Sequence, residues 1–174
     1  MLVGIGLPRC AGFSLQQAIA IITGQECWHS VAGDKLHVVD GSAGMVECSF
    51  AIPFLRRRFP GARFILNVRD EESWKRSVLS VWDQRESFNH PLWLQPADSI
   101  LDYARDYLDT CRRHLEGTDY LLWDIERNPV WEPLAMWLDL PIPDAPFPNA
   151  DKLKPKPVAT VVEAIPYTSF SHFY

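Results

Sequence analysis

Metal-ligand spacing, long apolar runs and an excess of basic charge are all missing from this sequence. Its four cysteines show no paired spacing typical of a metal site. No apolar run approaches the roughly 18 residues that a membrane-spanning helix needs. With 17 basic against 22 acidic residues the net charge is −5, which argues against a broad nucleic-acid-binding face. Any anion site must therefore be local, built from a few arginines and backbone N–H groups.

We expect no secretory signal, because no positively charged region followed by an apolar stretch precedes the apolar residues 2–7. The cysteines (Cys10, Cys27, Cys48 and Cys111) are therefore expected to be reduced thiols in a cytoplasmic protein. The chain has 174 residues and is 47% apolar, which suits a single domain over residues 1–174. No repeat or low-complexity linker divides it, and a proline-rich tail begins at about residue 140.

Short apolar runs of strand length alternate with segments of helical periodicity. Strands are predicted at residues 2–6, 44–48, 63–68 and 120–123, and helices at 13–22, 50–59, 73–82, 98–115 and 131–138. Residues 26–30 read as the start of an irregular part, 36–39 as a strand or helix fragment, and 86–96 as a loop. The alternation predicts an α/β fold, a three-layer parallel sheet flanked by helices, with ligands bound at the carboxyl ends of the strands.

The clearest strand leads directly into a helix, and this strand-helix unit carries two side chains suited to binding phosphate. Arg69 follows the strand, and Ser77 comes eight residues later on the helix. A guanidinium and a hydroxyl in this arrangement, close to a helix N-terminus, can hold one phosphate. The bland alternative is that Arg69 pairs with Asp70 or another nearby acid.

A second candidate anion loop opens the chain at residues 4–14. It does not fit the dinucleotide pattern G-x-G-x-x-G, because Arg9 stands at the third glycine, and it lacks the Gly-Lys-Ser/Thr of a Walker loop. Two anion sites in one small α/β unit suggest a ligand that is phosphorylated at two places.

Four segments give the chain a resemblance to a family. Residues 6–15 (G-L-P-R-C-A-G-F-S-L) are similar to the 5′-phosphosulfate loop of P-loop sulfotransferases, and 27–30 (C-W-H-S) to a C-[YW]-H segment of their small single-domain branch. Residues 59–78 resemble the strand-turn-helix that binds the 3′-phosphate. Residues 131–134 and 141–148 resemble the C-terminal helix and the proline segment after it. The resemblance runs from near the start to about residue 150.

The resemblance implies a P-loop nucleotide-binding fold and sulfuryl transfer from 3′-phosphoadenosine 5′-phosphosulfate (PAPS) to a hydroxyl or amine, without a metal. By the same resemblance Arg9 lies against the phosphosulfate, and Glu47, at a strand end, is the general base that deprotonates the acceptor. The residues expected to bind the donor are Pro8, Arg9, Cys10, Ala11, Gly12, Phe13, Ser14, Arg69 and Ser77. Trp28 and His29 are expected in the acceptor pocket, and the alternative is that His29 is a satisfied, half-buried histidine.

The first loop departs from the family pattern. Cys10, Ala11 and Phe13 replace the small glycine and threonine residues, so that Ser14 is the one hydroxyl left. Ala11 takes the place of a glycine for which a left-handed backbone is expected, unless Gly12 assumes that role. Glu47 has an alternative too, as a partner of Arg9 or Arg69.

These departures keep two rival functions open. One is a degenerate, non-catalytic nucleotide-binding member of the family. The other is a metal-dependent kinase or NTPase, since residues 120–124 read as an apolar strand ending in Asp124. The expected partners are a small-molecule acceptor and a second copy in a homodimer, with no nucleic acid and no membrane.

Overall fold

The computed structural model describes residues 1–25, 27–30, 35–38, 43–46, 49, 51–87, 90–149 and 163–166. The strands are β1 (Leu2–Ile5), β2 (Cys27–Ser30), β3 (Lys35–Val38), β4 (Ala43–Val46), β5 (Arg63–Val68), β6 (Tyr120–Asp124) and β7 (Glu163–Pro166). The helices are α1 (Gly12–Thr23), α2 (Ala51–Arg58), α3 (Glu71–Leu79), α4 (Ile100–Leu115) and α5 (Glu132–Leu138). Two short 3₁₀ helices span Trp82–Ser87 and Pro91–Leu94.

Five of the described strands form one parallel sheet in the order β2-β4-β1-β5-β6. In the register, Ile5 of β1 lies beside Val46 of β4 on one side and Leu66 of β5 on the other. The carboxyl ends of β1, β4 and β5 therefore meet at one edge of the sheet. The segments after β1 and β5, which carry the two predicted anion sites, leave the sheet at that edge.

Side chains of β1 and β5 alternate between two hydrophobic cores, one on each face of the sheet. Ile5 and Phe64 face the core that includes α2, α3 and α4. Leu2 and Ile65 face the core that includes α1 and α5. Helices thus cover both faces, and the predicted three-layer α/β fold is confirmed.

The β5–α3 unit forms for local reasons. Phe64, Ile65 and Leu66 are fully buried in β5. Asp70 then caps α3, with its carboxylate accepting the N–H of Ser73 at 3.1 Å. This cap starts the helix at Glu71, two residues before the predicted start at residue 73. It therefore fixes the direction in which the side chains after β5 point.

Two sequence-based expectations about local structure were wrong. Residues 27–30 are not irregular but form the edge strand β2, which pairs in parallel with β4. The pairing comes from the neighbouring strand rather than from a local apolar run, so the sequence pattern gave no sign of it. The predicted helix over residues 73–82 ends at Leu79, and a 3₁₀ helix begins at Trp82.

The fragment predicted as strand or helix at residues 36–39 is the strand β3. It pairs in an antiparallel manner with β7, a strand within the proline-rich tail. β7 belongs to this separate two-stranded sheet and is not a central strand, which suits a segment rich in proline.

Candidate active site

The loop between β1 and α1 has two non-glycine residues in the left-handed region. Arg9 has φ 69°, and Ala11, at the N-terminus of α1, has φ 59° and ψ 32°. Ala11 itself therefore takes the position for which a glycine is expected, while Gly12 is the first residue of the helix. Left-handed and right-handed residues in succession form the backbone nest that binds anions. Each such non-glycine residue costs about 1–2 kcal/mol, so contacts from the surrounding structure must hold the loop in place.

Those contacts reach the loop's carbonyl oxygens. The hydroxyl of Tyr107, on α4, donates to the carbonyl of Gly6 at 3.2 Å. The indole Nε1 of Trp74, on α3, donates to that of Pro8 at 2.9 Å.

Two donors from β5 and its end complete this set. Nη1 of Arg69 donates to the carbonyl of Arg9 at 3.1 Å, and Nδ2 of Asn67 donates to that of Cys10. A trans peptide directs the N–H of the next residue away from the carbonyl. The N–H of Ala11 is thus directed away from the Asn67 amide, and that of Arg9 away from the indole of Trp74.

Asn67 also explains why position 6 must be glycine. A Cβ at Gly6 would lie 2.3 Å from Oδ1 of Asn67, which is closer than any real contact. The Asn67 side chain is buried, with 1% of its surface exposed, and its Oδ1 has no hydrogen-bond partner among the described residues. The glycine therefore lets β1 leave the sheet alongside the amide that holds Cys10.

Arg9 and Ser77, two of the predicted ligands, are in contact. Nε of Arg9 donates to Oγ of Ser77 at 3.1 Å, joining the loop to α3. Arg9 is exposed and Ser77 is half-buried, so both lie at the surface of this edge. The two predicted anion sites thus form one continuous polar surface.

Arg69 has a different set of partners from the one predicted. Its Nε lies 3.0 Å from Oγ of Ser73, and its Nη2 lies 2.7 Å from Oε1 of Glu126. The same carboxylate approaches Nε of Arg69 at 2.5 Å and Oγ of Ser73 at 2.9 Å. Arg69 and Ser77 are connected through Arg9, whose carbonyl accepts a hydrogen bond from Arg69 and whose guanidinium donates one to Ser77. The expectation that Arg69 pairs with an acid is met by Glu126, and phosphate binding by Arg69 stays a prediction.

The rest of the predicted donor-binding loop is placed as follows. Within the loop, Pro8 and Cys10 are buried. Ser14, on the first turn of α1, is 8% exposed. Phe13 is 42% exposed beside it. The hydroxyl of Ser14 thus belongs to the buried side of the helix.

Three predicted residues cannot be assigned a position in the site. Glu47, the expected base, lies outside the described residues. The backbone of Trp28 and His29 belongs to β2, beside Gly44 and Met45 of β4, but their side chains also lie outside the described part. Their roles stay predictions.

Sequence reasoning missed five residues that shape this site: Asn67, Ser73, Trp74, Tyr107 and Glu126. One of them had a readable signal, because Ser73 lies four residues before Ser77 and so on the same face of the helix. Glu126 follows β6, and its position depends on the pairing of β6 with β5. No local pattern shows that pairing.

The residue behind the kinase alternative has a structural task. Asp124 ends β6, and its Oδ1 accepts the N–H of Arg127 at 3.0 Å. Within the described ranges, no group of three or more His, Cys, Asp or Glu side chains is arranged to hold a metal ion. The same part of the chain contains no helix with the length and apolar character needed to span a membrane.

The described cysteines Cys10, Cys27 and Cys111 are in the thiol form, and Cys48 lies outside the described residues. Burial raises the pKa of the Cys27 thiol to about 12, so this group is neutral at physiological pH. A neutral thiol is a poor nucleophile, which leaves Cys27 with a packing role against α1.

The sequence of the chain is similar to those of known proteins. A family model described as "Sulfotransferase domain" matches residues 32–118, which is half of the chain. The matched part contains Arg69, Ser73 and Ser77. The chain is also similar to "Ava biosynthesis cluster protein M" of Aspergillus versicolor, with 26% identity over 63% of this chain and 53% of that protein. It thus spans about half the length of this relative.

The family match and the three-layer parallel sheet are consistent with each other. The chain belongs to the sulfotransferase domain family, and its α/β fold is of the P-loop type.

Proposed function

We propose that the protein transfers a sulfuryl group from PAPS to a hydroxyl or amine of a small-molecule acceptor. One observation carries the proposal. Arg9, Arg69 and Ser77 are linked through contacts of 3.1 Å at the carboxyl edge of a parallel sheet, where the loop meets the N-terminus of α1. This is the edge at which open α/β sheets bind their ligands.

The residues present suit a donor that carries two anionic groups. Because side chains hold the carbonyls of Pro8 and Cys10 from one side, the loop can turn backbone N–H groups towards a 5′-phosphosulfate. Arg9 supplies a cation there. Arg69 and Ser77 supply a guanidinium and a hydroxyl for the 3′-phosphate.

When bound, PAPS supplies an activated sulfuryl group whose transfer leaves negative charge on the departing phosphate. The task of Arg9 is to stabilise that charge with a fixed cation. The task proposed for Glu47 is to take the proton that the acceptor hydroxyl or amine loses.

Isothermal titration calorimetry with adenosine 3′,5′-bisphosphate, the stable product, tests the donor assignment. We expect binding by the wild-type chain and at least tenfold weaker binding by Arg69→Ala, since a charge-assisted phosphate contact is worth roughly 1.5–3 kcal/mol. Arg105→Ala is the matched control, because Arg105 pairs with Glu71 away from the loop. No binding to folded protein at millimolar ligand would refute the proposal, and an unchanged affinity in Arg69→Ala would remove Arg69 from the site.

A second candidate is a nucleotide-binding member that transfers nothing. It is favoured by the altered loop, in which Ala11 is held in the left-handed region and Ser14 is largely buried. Mass spectrometry of a mixed acceptor library incubated with PAPS and the protein distinguishes the two. Formation of a product heavier than its acceptor by the mass of one SO₃ group supports the enzyme. Binding of the bisphosphate without any such product supports the second candidate.

A further inference from the structure

The Arg69 guanidinium already holds an anion that belongs to the chain itself. Two of its nitrogens approach the two carboxylate oxygens of Glu126, at 2.7 Å and 2.5 Å. Ser73 Oγ lies within 3.0 Å of both oxygens as well. Nη2 donates a hydrogen bond to Oε1, while Nε donates to Oγ of Ser73 and forms an ion pair with Oε2. Arginine binds carboxylates and phosphates alike through charge-assisted contacts of this kind. Glu126 therefore engages the donors that a ligand phosphate at this position would need.

The Arg69–Glu126 pair is accessible enough to be replaced. The side chain of Glu126 is 41% exposed and that of Arg69 is 20% exposed. A half-exposed pair gains little net energy, because water solvates the separated charges well. A phosphate brings up to two negative charges and three acceptor oxygens, so it competes effectively for the same guanidinium.

We propose that Glu126 is an intramolecular competitor of the ligand's 3′-phosphate and thereby sets how tightly, and for how long, a 3′-phosphorylated nucleotide is held. This inference rests on the proposed function. On binding, the phosphate displaces the carboxylate from Arg69 and Ser73, and Glu126 turns to solvent. On release, the carboxylate returns and covers the guanidinium, which favours departure of the bisphosphate product.

The effect is specific to one part of the ligand. A nucleotide that lacks the 3′-phosphate, such as adenosine 5′-monophosphate, has no group that competes with Glu126. Removing the carboxylate should strengthen binding of the bisphosphate but leave binding of the monophosphate unchanged. Glu126 thus lowers the preference of the site for the 3′-phosphorylated nucleotide and speeds the release of that nucleotide.

Three variants test this idea: Glu126→Gln, which removes the charge, Glu126→Ala, which removes the side chain, and Glu71→Gln as the matched control. Glu71 is a half-exposed carboxylate on α3 that pairs with Arg105 at 2.8 Å, so its change alters the net charge equally without touching Arg69. Affinities for adenosine 3′,5′-bisphosphate and adenosine 5′-monophosphate are measured by calorimetry. Dissociation of the bisphosphate is measured by stopped-flow displacement.

We expect both Glu126 variants to bind the bisphosphate about two- to fivefold more tightly, the size expected for loss of a partly exposed competing pair. Its dissociation should slow by a similar factor, while the affinity for the monophosphate and the behaviour of Glu71→Gln stay unchanged. An unchanged or weaker bisphosphate affinity in both Glu126 variants would overturn the inference, and weaker binding would make Glu126 a support of Arg69. Failure of every protein, including wild type, to bind the bisphosphate would refute the proposed function instead.

Discussion

Trp74 and Pro8 are joined by a buried hydrogen bond between the indole Nε1 and the carbonyl oxygen, 2.9 Å long. It connects the first turn of α3 with the middle of the loop after β1, 66 positions apart in the chain. Because Arg69, Trp74 and Ser77 all belong to the β5–α3 unit, their hydrogen bonds connect the two predicted anion sites. A change in the direction of α3 would alter both.

Trp74→Phe should weaken binding of adenosine 3′,5′-bisphosphate about five- to tenfold, because a buried hydrogen bond contributes on the order of 1 kcal/mol and the loop loses its orientation. Calorimetry measures the affinity, and urea unfolding measures the stability. Trp131→Phe is the control, since its Nε1 donates to the carbonyl of Ala145 at 2.6 Å, which is outside the loop and the turn that carries Glu126. An equal loss of affinity in both variants would mean that Trp74 acts only through stability.

Gly6→Ala should lower the free energy of unfolding by about 1–3 kcal/mol, the usual cost of forcing extra volume into a packed interior. The added Cβ would meet the buried Asn67 side chain at 2.3 Å. Gly61→Ala is the matched control, because nothing lies within 4 Å of a Cβ there. Urea unfolding measures the free energy of unfolding of both variants. Equal values would show that the loop accommodates the added methyl group at position 6 without loss of stability.

The fold was predictable from the sequence where local patterns are strong. The largely apolar residues 63–68 predict β5 and a helix soon after it without knowledge of any partner, although not the ends of that helix. Strand β2 was missed, because its pairing with β4 and not its own composition makes it a strand.

The site was predictable only in part, for the same physical reason. Arg69 and Ser77 stand out because both lie on one local unit. Tyr107 reaches Gly6 across 101 positions and Glu126 reaches Arg69 across 57, through helix packing and strand pairing. Contacts of that kind depend on tertiary structure, which no sequence window contains.

Ala11→Gly should raise the free energy of unfolding by about 0.5 kcal/mol. A glycine adopts φ 59° without the steric cost that alanine bears, while its greater freedom in the unfolded chain cancels part of the gain. Ala20→Gly, in the interior of α1, is the control and should lose about 1 kcal/mol. If urea unfolding shows that Ala11→Gly loses as much as the control, the left-handed conformation at Ala11 carries no cost.

His114 makes the stability of the chain depend on pH near neutrality. Its pKa is lowered from the ordinary 6.5 by partial burial first, and then by the charges of Arg113 and Arg56. The folded chain therefore binds fewer protons at this residue than the unfolded chain does. The stabilising effect of a neutral His114 is present above pH 6.5 and is lost as the pH falls below it.

His114→Asn should remove this part of the pH dependence. Between pH 7 and pH 5.5 the wild type should lose more stability than the variant, by less than about 1 kcal/mol because the group is largely solvated. Urea unfolding at a series of pH values measures the difference, and an NMR titration of His114 locates its pKa. Arg113→Gln should raise that pKa, because it removes one of the two neighbouring positive charges. Parallel pH profiles for wild type and His114→Asn, or a pKa unmoved in Arg113→Gln, would show that the histidine is insulated from these charges.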